Sequence, residues 1–179
     1  MIGESPTVCL FGPESTGKTT LARELASQLR ATFVPEYGRY YCETFGNDCD
    51  ADDLRAIVAG HRLLVDAARR KAQGALIILD TDEVMTAVWA DVLLGARPQD
   101  LDRVETAADL YLLADVDVPF QSDAIRYFPD QTTRVRFFEL CRSELDRRRL
   151  PYAVISGKNH ATRRAAALAA IRARIAPAR

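Results

Sequence analysis

Five short runs of apolar or β-branched residues alternate with longer stretches in which apolar residues recur at helical spacing. The runs cover residues 7–11, 32–34, 76–79, 110–113 and 152–155. Continuous apolar runs of this length suit strands buried on both faces. Strands separated by helices make a parallel sheet with helices above and below it. The pattern therefore predicts an α/β fold of three layers, with a five-stranded parallel sheet in the middle. The first helix carries Leu21, Leu25 and Leu29 on one face. The most regular helix opens near Asp50 and Asp52, whose carboxylates supply cap oxygens, and shows Leu54, Ile57, Val58, His61, Leu64, Val65 and Ala68 on one side. His61 falls on that stripe and reads as a half-buried packing residue rather than a catalytic base. A shorter helix follows Asp82 through Val84, Val88 and Leu93 to Gly95, and Gly95-Ala96-Arg97-Pro98 breaks the chain before another short one. Phe137, Phe138, Cys141 and Leu145 mark the next helix, and residues 161–175 the last. Residues 115–131 form the longest segment without periodicity. No repeat, linker or composition shift divides the pattern, so one domain is expected over residues 1–179.

The link between the first strand and the first helix reads Gly12-Pro13-Glu14-Ser15-Thr16-Gly17-Lys18-Thr19, followed by Thr20. It fills every fixed position of the P-loop pattern G-x-x-x-x-G-K-[ST], in the strand–loop–helix context the pattern requires. That context aims several backbone N–H groups and the positive end of a helix at one point. Gly12 and Gly17 allow close backbone approach, Lys18 reaches the β- and γ-phosphates, and the Thr19 hydroxyl is placed for magnesium. The loop implies a nucleoside triphosphate.

Charge and cysteine content narrow the partners. Lys and Arg number 24 against 25 Asp and Glu, a formal net charge of -1, so no basic surface dominates and nucleic acid is not an expected partner. Arg147-Arg148-Arg149 and the arginines of residues 163–179 read as solvated helix faces. No apolar run approaches the roughly 20 residues that cross a bilayer, and Met1-Ile2-Gly3-Glu4-Ser5-Pro6 lacks the regions of a signal peptide. No membrane association and a cytoplasmic location are expected. Cys9 and Cys141 read as small core residues, while Cys42 and Cys49 lack C-x-x-C spacing. With only His61 and His160 besides, no metal beyond magnesium is assigned.

Ligands of an open α/β sheet bind beyond the carboxyl ends of its strands. After the P-loop, the strand ends give Pro35-Glu36-Tyr37-Gly38-Arg39, then Asp80-Thr81-Asp82, Asp115-Val116-Asp117 and Ser156-Gly157-Lys158-Asn159. An acid at three successive strand ends is hard to explain by folding alone. Asp80 closes the apolar run Leu76-Ile77-Ile78-Leu79, the form of a Walker B segment, whose carboxylate holds magnesium directly or through water. Asp82 has two open readings, a helix N-cap and a functional acid. Glu36 stands where a phosphate acceptor would meet the γ-phosphate. There it could accept or orient the proton of an attacking hydroxyl, or be a surface acid paired with Arg39. Arg126 lies between Pro119 and Pro129 in a lid-like loop. It could neutralise charge on the transferring phosphoryl group, or pair at the surface with Asp123 or Asp130. Residues 157–163 are the candidates for contact with adenine.

Taken together, G-P-E-S-T-G-K-T-T-L-A, V-P-E-Y-G-R-Y-Y, L-D-T-D, and Y-L-L-A-D-V-D-V-P with D-A-I-R beyond it closely resemble the ribosylnicotinamide kinase domain of NadR-type proteins, from residue 8 to about residue 164. The resemblance implies a P-loop kinase fold that uses ATP and Mg2+ to phosphorylate the 5′-hydroxyl of nicotinamide riboside, giving nicotinamide mononucleotide in NAD salvage. By motif position it implies Glu36 and Tyr37 as substrate-side residues, Asp80 and Asp82 as magnesium or ribose contacts, and Asp123 with Arg126 as the lid. Lys18, Glu36, Asp80 and Arg126 become the catalytic candidates, with Tyr37, Asp82 and Asp123 beside Glu36 on the substrate. Full-length NadR proteins also carry a nucleotidylyltransferase domain, and some a repressor domain. With the P-loop at Gly12 and no H-x-G-H motif, neither is expected here. The other readings are a kinase for another nucleoside or vitamin, and a nucleotide-dependent regulatory ATPase.

Overall fold

The computed structural model describes residues 5–103, 105, 107–118 and 130–175. Among them, strands β1 (Thr7–Phe11), β2 (Thr32–Val34), β3 (Ile77–Asp80), β4 (Leu110–Ala114) and β5 (Tyr152–Ile155) are joined by helices α1 (Lys18–Leu29), α2 (Tyr37–Phe45), α3 (Ala51–Ala72), α4 (Glu83–Leu94), α5 (Gln99–Asp102), α6 (Gln131–Arg147) and α7 (His160–Arg174). The strands form one sheet in the order β2-β3-β1-β4-β5, and every pairing is parallel.

Successive side chains of a strand point to opposite faces, and both faces here are covered. Cys9, Phe11, Ile77, Leu79, Tyr111 and Leu113 meet Val65 and Ala68 of α3, Val84 and Val88 of α4, and Phe137, Phe138, Cys141 and Leu145 of α6. Val8, Leu10, Ile78, Leu110 and Leu112 meet Leu21 and Leu25 of α1 and Ala167, Leu168 and Ile171 of α7. This double burial is why β1, β3 and β4 read as unbroken apolar runs. Each large side chain so buried contributes about 1.5–3 kcal/mol. Cys9 and Cys141 are buried core residues and Cys42 and Cys49 are free thiols, with the latter two sulfurs 3.8 Å apart.

Several details differ from the sequence expectation. β3 ends on Asp80, which stands in register with Leu10 of β1. The acid therefore belongs to the strand rather than following it. α2 is a helix the periodicity does not show. It buries no residue fully and holds to a cluster made by Leu54, Ile57, Ala90 and Leu101 through Tyr37, Tyr41 and Cys42. Gly60 of α3 makes room for it, since a Cβ there would stand 2.2 Å from the Tyr37 ring. At the start of α3, Asp50 accepts from the N–H groups of Asp52 and Asp53 while Asp53 returns the bond, whereas Asp52 pairs with Arg55.

The arginine clusters are not simple solvated faces. Arg147 and Arg148 converge with Arg97 on buried Glu144, and these bonds hold its carboxyl down at about 2 against the opposing effect of burial. Arg163 is itself buried. Among the described residues, no helix is long and apolar enough to cross a membrane.

Candidate active site

The loop between β1 and α1 is shaped by backbone that only certain residues accept. Gly12 has φ 119, and a Cβ there would press to 2.8 Å from the Ala114 carbonyl oxygen. Glycine is therefore required both for the dihedral and for the close approach to β4. The carbonyl of Pro13 accepts from the Thr16 hydroxyl at 2.8 Å and from Lys18 Nζ at 2.7 Å. Gly17 sits at the N-cap of α1 in the left-handed conformation and brings no side chain to bond the first-turn N–H groups. Those donors are left to face an anion.

A cavity of about 190 Å³ opens in front of this loop. One part of its wall is Gly12, Glu14, Ser15, Thr16, Gly17, Lys18, Thr19 and Thr20. Glu36, Gly38 and Arg39 from the β2–α2 junction and Thr81 and Asp82 from the end of β3 also line it. The remainder comes from α2, the α2–α3 connection, α3 and α4: Cys42, Cys49, Leu54, Ile57, His61, Met85, Thr86, Trp89 and Leu93. A polar, amide-rich wall thus continues into an apolar one with an indole and an imidazole in it.

Acids gather where the two parts meet. Burial pushes the half-buried Glu36 carboxyl up to about 7, with Asp80 adding repulsion and Lys18 and Arg39 opposing. Arg39 is bonded to Glu43 at 3.0 Å. Asp80 is 1% exposed and its pKa is raised, first by burial, against hydrogen bonding from Thr19 and the charge of Lys18. Its Oδ1 is buried without a hydrogen-bond partner among the described residues. That orphaned oxygen beside a threonine hydroxyl suits magnesium, which takes oxygen ligands, is held by one or two protein groups and keeps several waters. Among the described residues no cluster of three metal-binding side chains exists, and such a site does not need one.

Asp82 does cap α4, accepting from Val84 N at 3.0 Å with one oxygen. The other accepts from the Tyr111 hydroxyl at 2.5 Å. Both oxygens are engaged, and burial raises the carboxyl to about 7. His61 is more enclosed than expected, at 4% exposure, and it lies on the cavity wall. Burial lowers its pKa to about 4, so the imidazole is neutral at physiological pH.

The structure brings Gly12, residues 14–20, Glu36 and Asp82 to one cavity, with Asp80 bonded to Thr19 behind it. It does not bring Tyr37, whose ring is turned onto Gly60. Pro13 serves through its carbonyl. The third strand-end acid is a turn residue, since Asp115 Oδ1 accepts from Val116 N at 2.7 Å. Asp117 bonds Arg163 at 2.5 Å and Gly157 N at 2.5 Å, so residues 157–163 are tied to the exit of β4. Asp123 and Arg126 lie outside the described residues. Sequence reasoning passed over Trp89, Tyr111 and Arg134. Arg134 could have been found from its spacing, three and four residues before Phe137 and Phe138 on the buried stripe of α6.

A family model described as an AAA domain matches residues 7–163, from β1 to the opening turn of α7. The chain belongs to the AAA-domain family. Within it, the resemblance to NadR-type proteins is borne out in sequence and in structure. The chain is 28% identical over 163 residues to the "Trifunctional NAD biosynthesis/regulator protein NadR" of Escherichia coli (strain K12), covering 88% of this chain and 40% of that protein. A crystal structure of NadR protein in complex with NR superposes with a TM-score of 0.74 at 25% identity, covering 95% of this chain and 50% of the other. A second, in complex with NAD and AMP-PNP, gives 0.70 at 28% identity, covering 95% and 49%. The chain thus spans about 40% of the length of that curated relative.

Proposed function

We propose that this chain transfers the γ-phosphoryl group of ATP to the 5′-hydroxyl of nicotinamide riboside, giving nicotinamide mononucleotide and ADP. The observation that carries the reading is that one cavity holds both the P-loop and Glu36, a carboxyl poised at about 7, and continues into an apolar wall. The backbone N–H groups of residues 14–20 would cradle the phosphates, and Lys18 would leave the Pro13 carbonyl for the β- and γ-oxygens. Thr19 and Asp80 would hold Mg2+, which when bound neutralises charge on the phosphates. Glu36 would orient the riboside hydroxyl and take its proton as the O–P bond forms. Asp123 and Arg126 keep their expected place at the acceptor and the γ-phosphate on sequence grounds.

The acceptor side favours a cation. Glu14, Glu36 and Asp82 line the cavity with Asp80 behind them, and the apolar part offers the indole of Trp89. A pyridinium ring is stabilised by nearby carboxylates and by an aromatic face, whereas a neutral base gains only the apolar contact. The relatives whose names concern NAD biosynthesis, and the NadR complexes with NR and with AMP-PNP, support the same choice. The test is a panel. The chain with magnesium-ATP should release ADP faster with nicotinamide riboside than with nicotinic acid riboside, uridine or thymidine. A neutral nucleoside that outpaces the cationic one would reverse the assignment.

A further inference from the structure

Two buried arginines hold successive carbonyls of the P-loop from positions outside the cavity wall. Arg134 of α6 is 2% exposed and Arg163 of α7 is 3% exposed, and neither lines the cavity. Arg134 Nη2 donates to the Ser15 carbonyl at 3.3 Å. Arg163 Nη2 donates to the Thr16 carbonyl at 3.1 Å. Each guanidinium is anchored by its other arm. Arg134 Nη1 reaches the Val118 carbonyl at 3.1 Å and Gln131 Oε1 at 3.0 Å. Arg163 Nη1 reaches Asp117 Oδ1 at 2.5 Å and the Asp115 carbonyl at 3.3 Å.

The consequence follows from peptide geometry. In a trans peptide the C=O of one residue and the N–H of the next point in opposite directions. Holding the Ser15 carbonyl from behind turns the Thr16 N–H forward, and holding the Thr16 carbonyl turns the Gly17 N–H forward. Those two amides are among the donors a P-loop presents to phosphate. A cation behind each carbonyl also polarises the peptide and strengthens the N–H as a donor. The loop needs such support, because Ser15 is a non-glycine residue at φ 57, a conformation that persists only where surrounding contacts enforce it.

We infer that Arg134 and Arg163 are positioning residues that set the phosphate affinity of the P-loop without touching the nucleotide. This rests on the reading of the loop as a triphosphate site and is independent of which acceptor is phosphorylated. Both guanidiniums also bond the residues that follow β4, so the loop and the exit of β4 are fixed by the same two side chains.

Arg134→Met, Arg163→Met and the corresponding lysine variants test this by calorimetric titration with AMP-PNP, inorganic tripolyphosphate and adenosine, well below each variant's melting temperature. The expected result is a loss of AMP-PNP and tripolyphosphate affinity on the order of 10-fold or more, as for other outer-shell partners, with adenosine affinity unchanged. Lysine keeps the charge but not the fork, so it should recover only part of the loss. If a methionine variant fails to fold, the lysine variant at the same position carries the test. Folded variants that bind all three ligands as the wild type does would overturn the inference, as would equal losses for adenosine and tripolyphosphate. A wild-type chain that binds neither AMP-PNP nor tripolyphosphate would instead remove the triphosphate reading beneath it.

Discussion

Lys18 Nζ donates to the carbonyl of Pro13 across 2.7 Å, so the cation is held over the loop that carries it. The same carbonyl also receives the Thr16 hydroxyl at 2.8 Å, which keeps the turn closed without the lysine. Lys18→Ala should therefore remove phosphoryl transfer by about 10²-fold or more while leaving the fold intact. Steady-state turnover and a thermal melt check it, and near-normal turnover would contradict the role given to Lys18.

Thr19→Ala removes one of two oxygens that suit magnesium while leaving Asp80 in place. The expected defect is a raised magnesium requirement, partly relieved at high metal concentration. A defect indifferent to magnesium would assign the hydroxyl to the Asp80 hydrogen bond alone.

Glu36 should impose a rising pH limb on turnover. Its carboxyl is raised to about 7 by burial and by Asp80, and the proton acceptor is the ionised form. Activity should climb as pH passes through about 7 and level off above it. Glu36→Gln should flatten that limb and lower turnover by roughly 10²–10⁴, toward the smaller end because the transition state of phosphoryl transfer is loose. An unchanged limb in the variant would assign the titration to another group, with Asp82, also at about 7, the first to test.

Tyr111 and Asp82 give a stability test with a defined sign. The Asp82 carboxyl ordinarily titrates at 3.8 and is raised to about 7 in the fold. The stability it contributes is fully present below 3.8 and is lost as pH rises through about 7. The Tyr111 hydroxyl bond opposes that loss by favouring the ionised form. Tyr111→Phe should cost about 1–3 kcal/mol at pH above the folded value and less in mild acid, where the carboxyl is protonated. A residual cost at low pH is expected because Ala108 N also bonds this hydroxyl at 3.2 Å. Denaturant melts at the two pH values decide it, and equal losses would contradict the ionised pairing.

Gly60 and Tyr37 should show coupling. A Cβ at Gly60 would stand 2.2 Å from the ring, so Gly60→Ala should cost about 1–3 kcal/mol by overpacking. In a Tyr37→Ala background that cost should shrink, and a double-mutant cycle measures it. Additive losses would mean that the cost at Gly60 does not come from the Tyr37 ring.

The sheet was legible because β1, β3 and β4 are covered on both faces, which forces apolar residues into unbroken runs. The P-loop was legible because phosphate binding demands glycine where φ is positive and backbone must come close, as at Gly12. α2 was not, because its nine residues bury none fully and its place is set by an absence, the missing side chain of Gly60. Asp115 reads in sequence like Asp80, and only the bond to Val116 N separates a turn residue from a site residue. Arg163 reads as one basic residue among many in α7, yet it shares a buried face with Ala167, Leu168 and Ile171. An arginine on an apolar stripe must bring its own acceptors, and here these include the Thr16 carbonyl.

The measurement that bears most directly on the proposed reaction is product identity. The chain is incubated with magnesium-ATP and nicotinamide riboside, and ADP and phosphorylated product are quantified together by mass spectrometry and phosphorus NMR. One nicotinamide mononucleotide per ADP, with the phosphate on the 5′-oxygen and little ADP formed without riboside, is the predicted result. ADP released at the same rate with or without riboside, and no mononucleotide, would contradict a kinase and leave a nucleotide-hydrolysing protein.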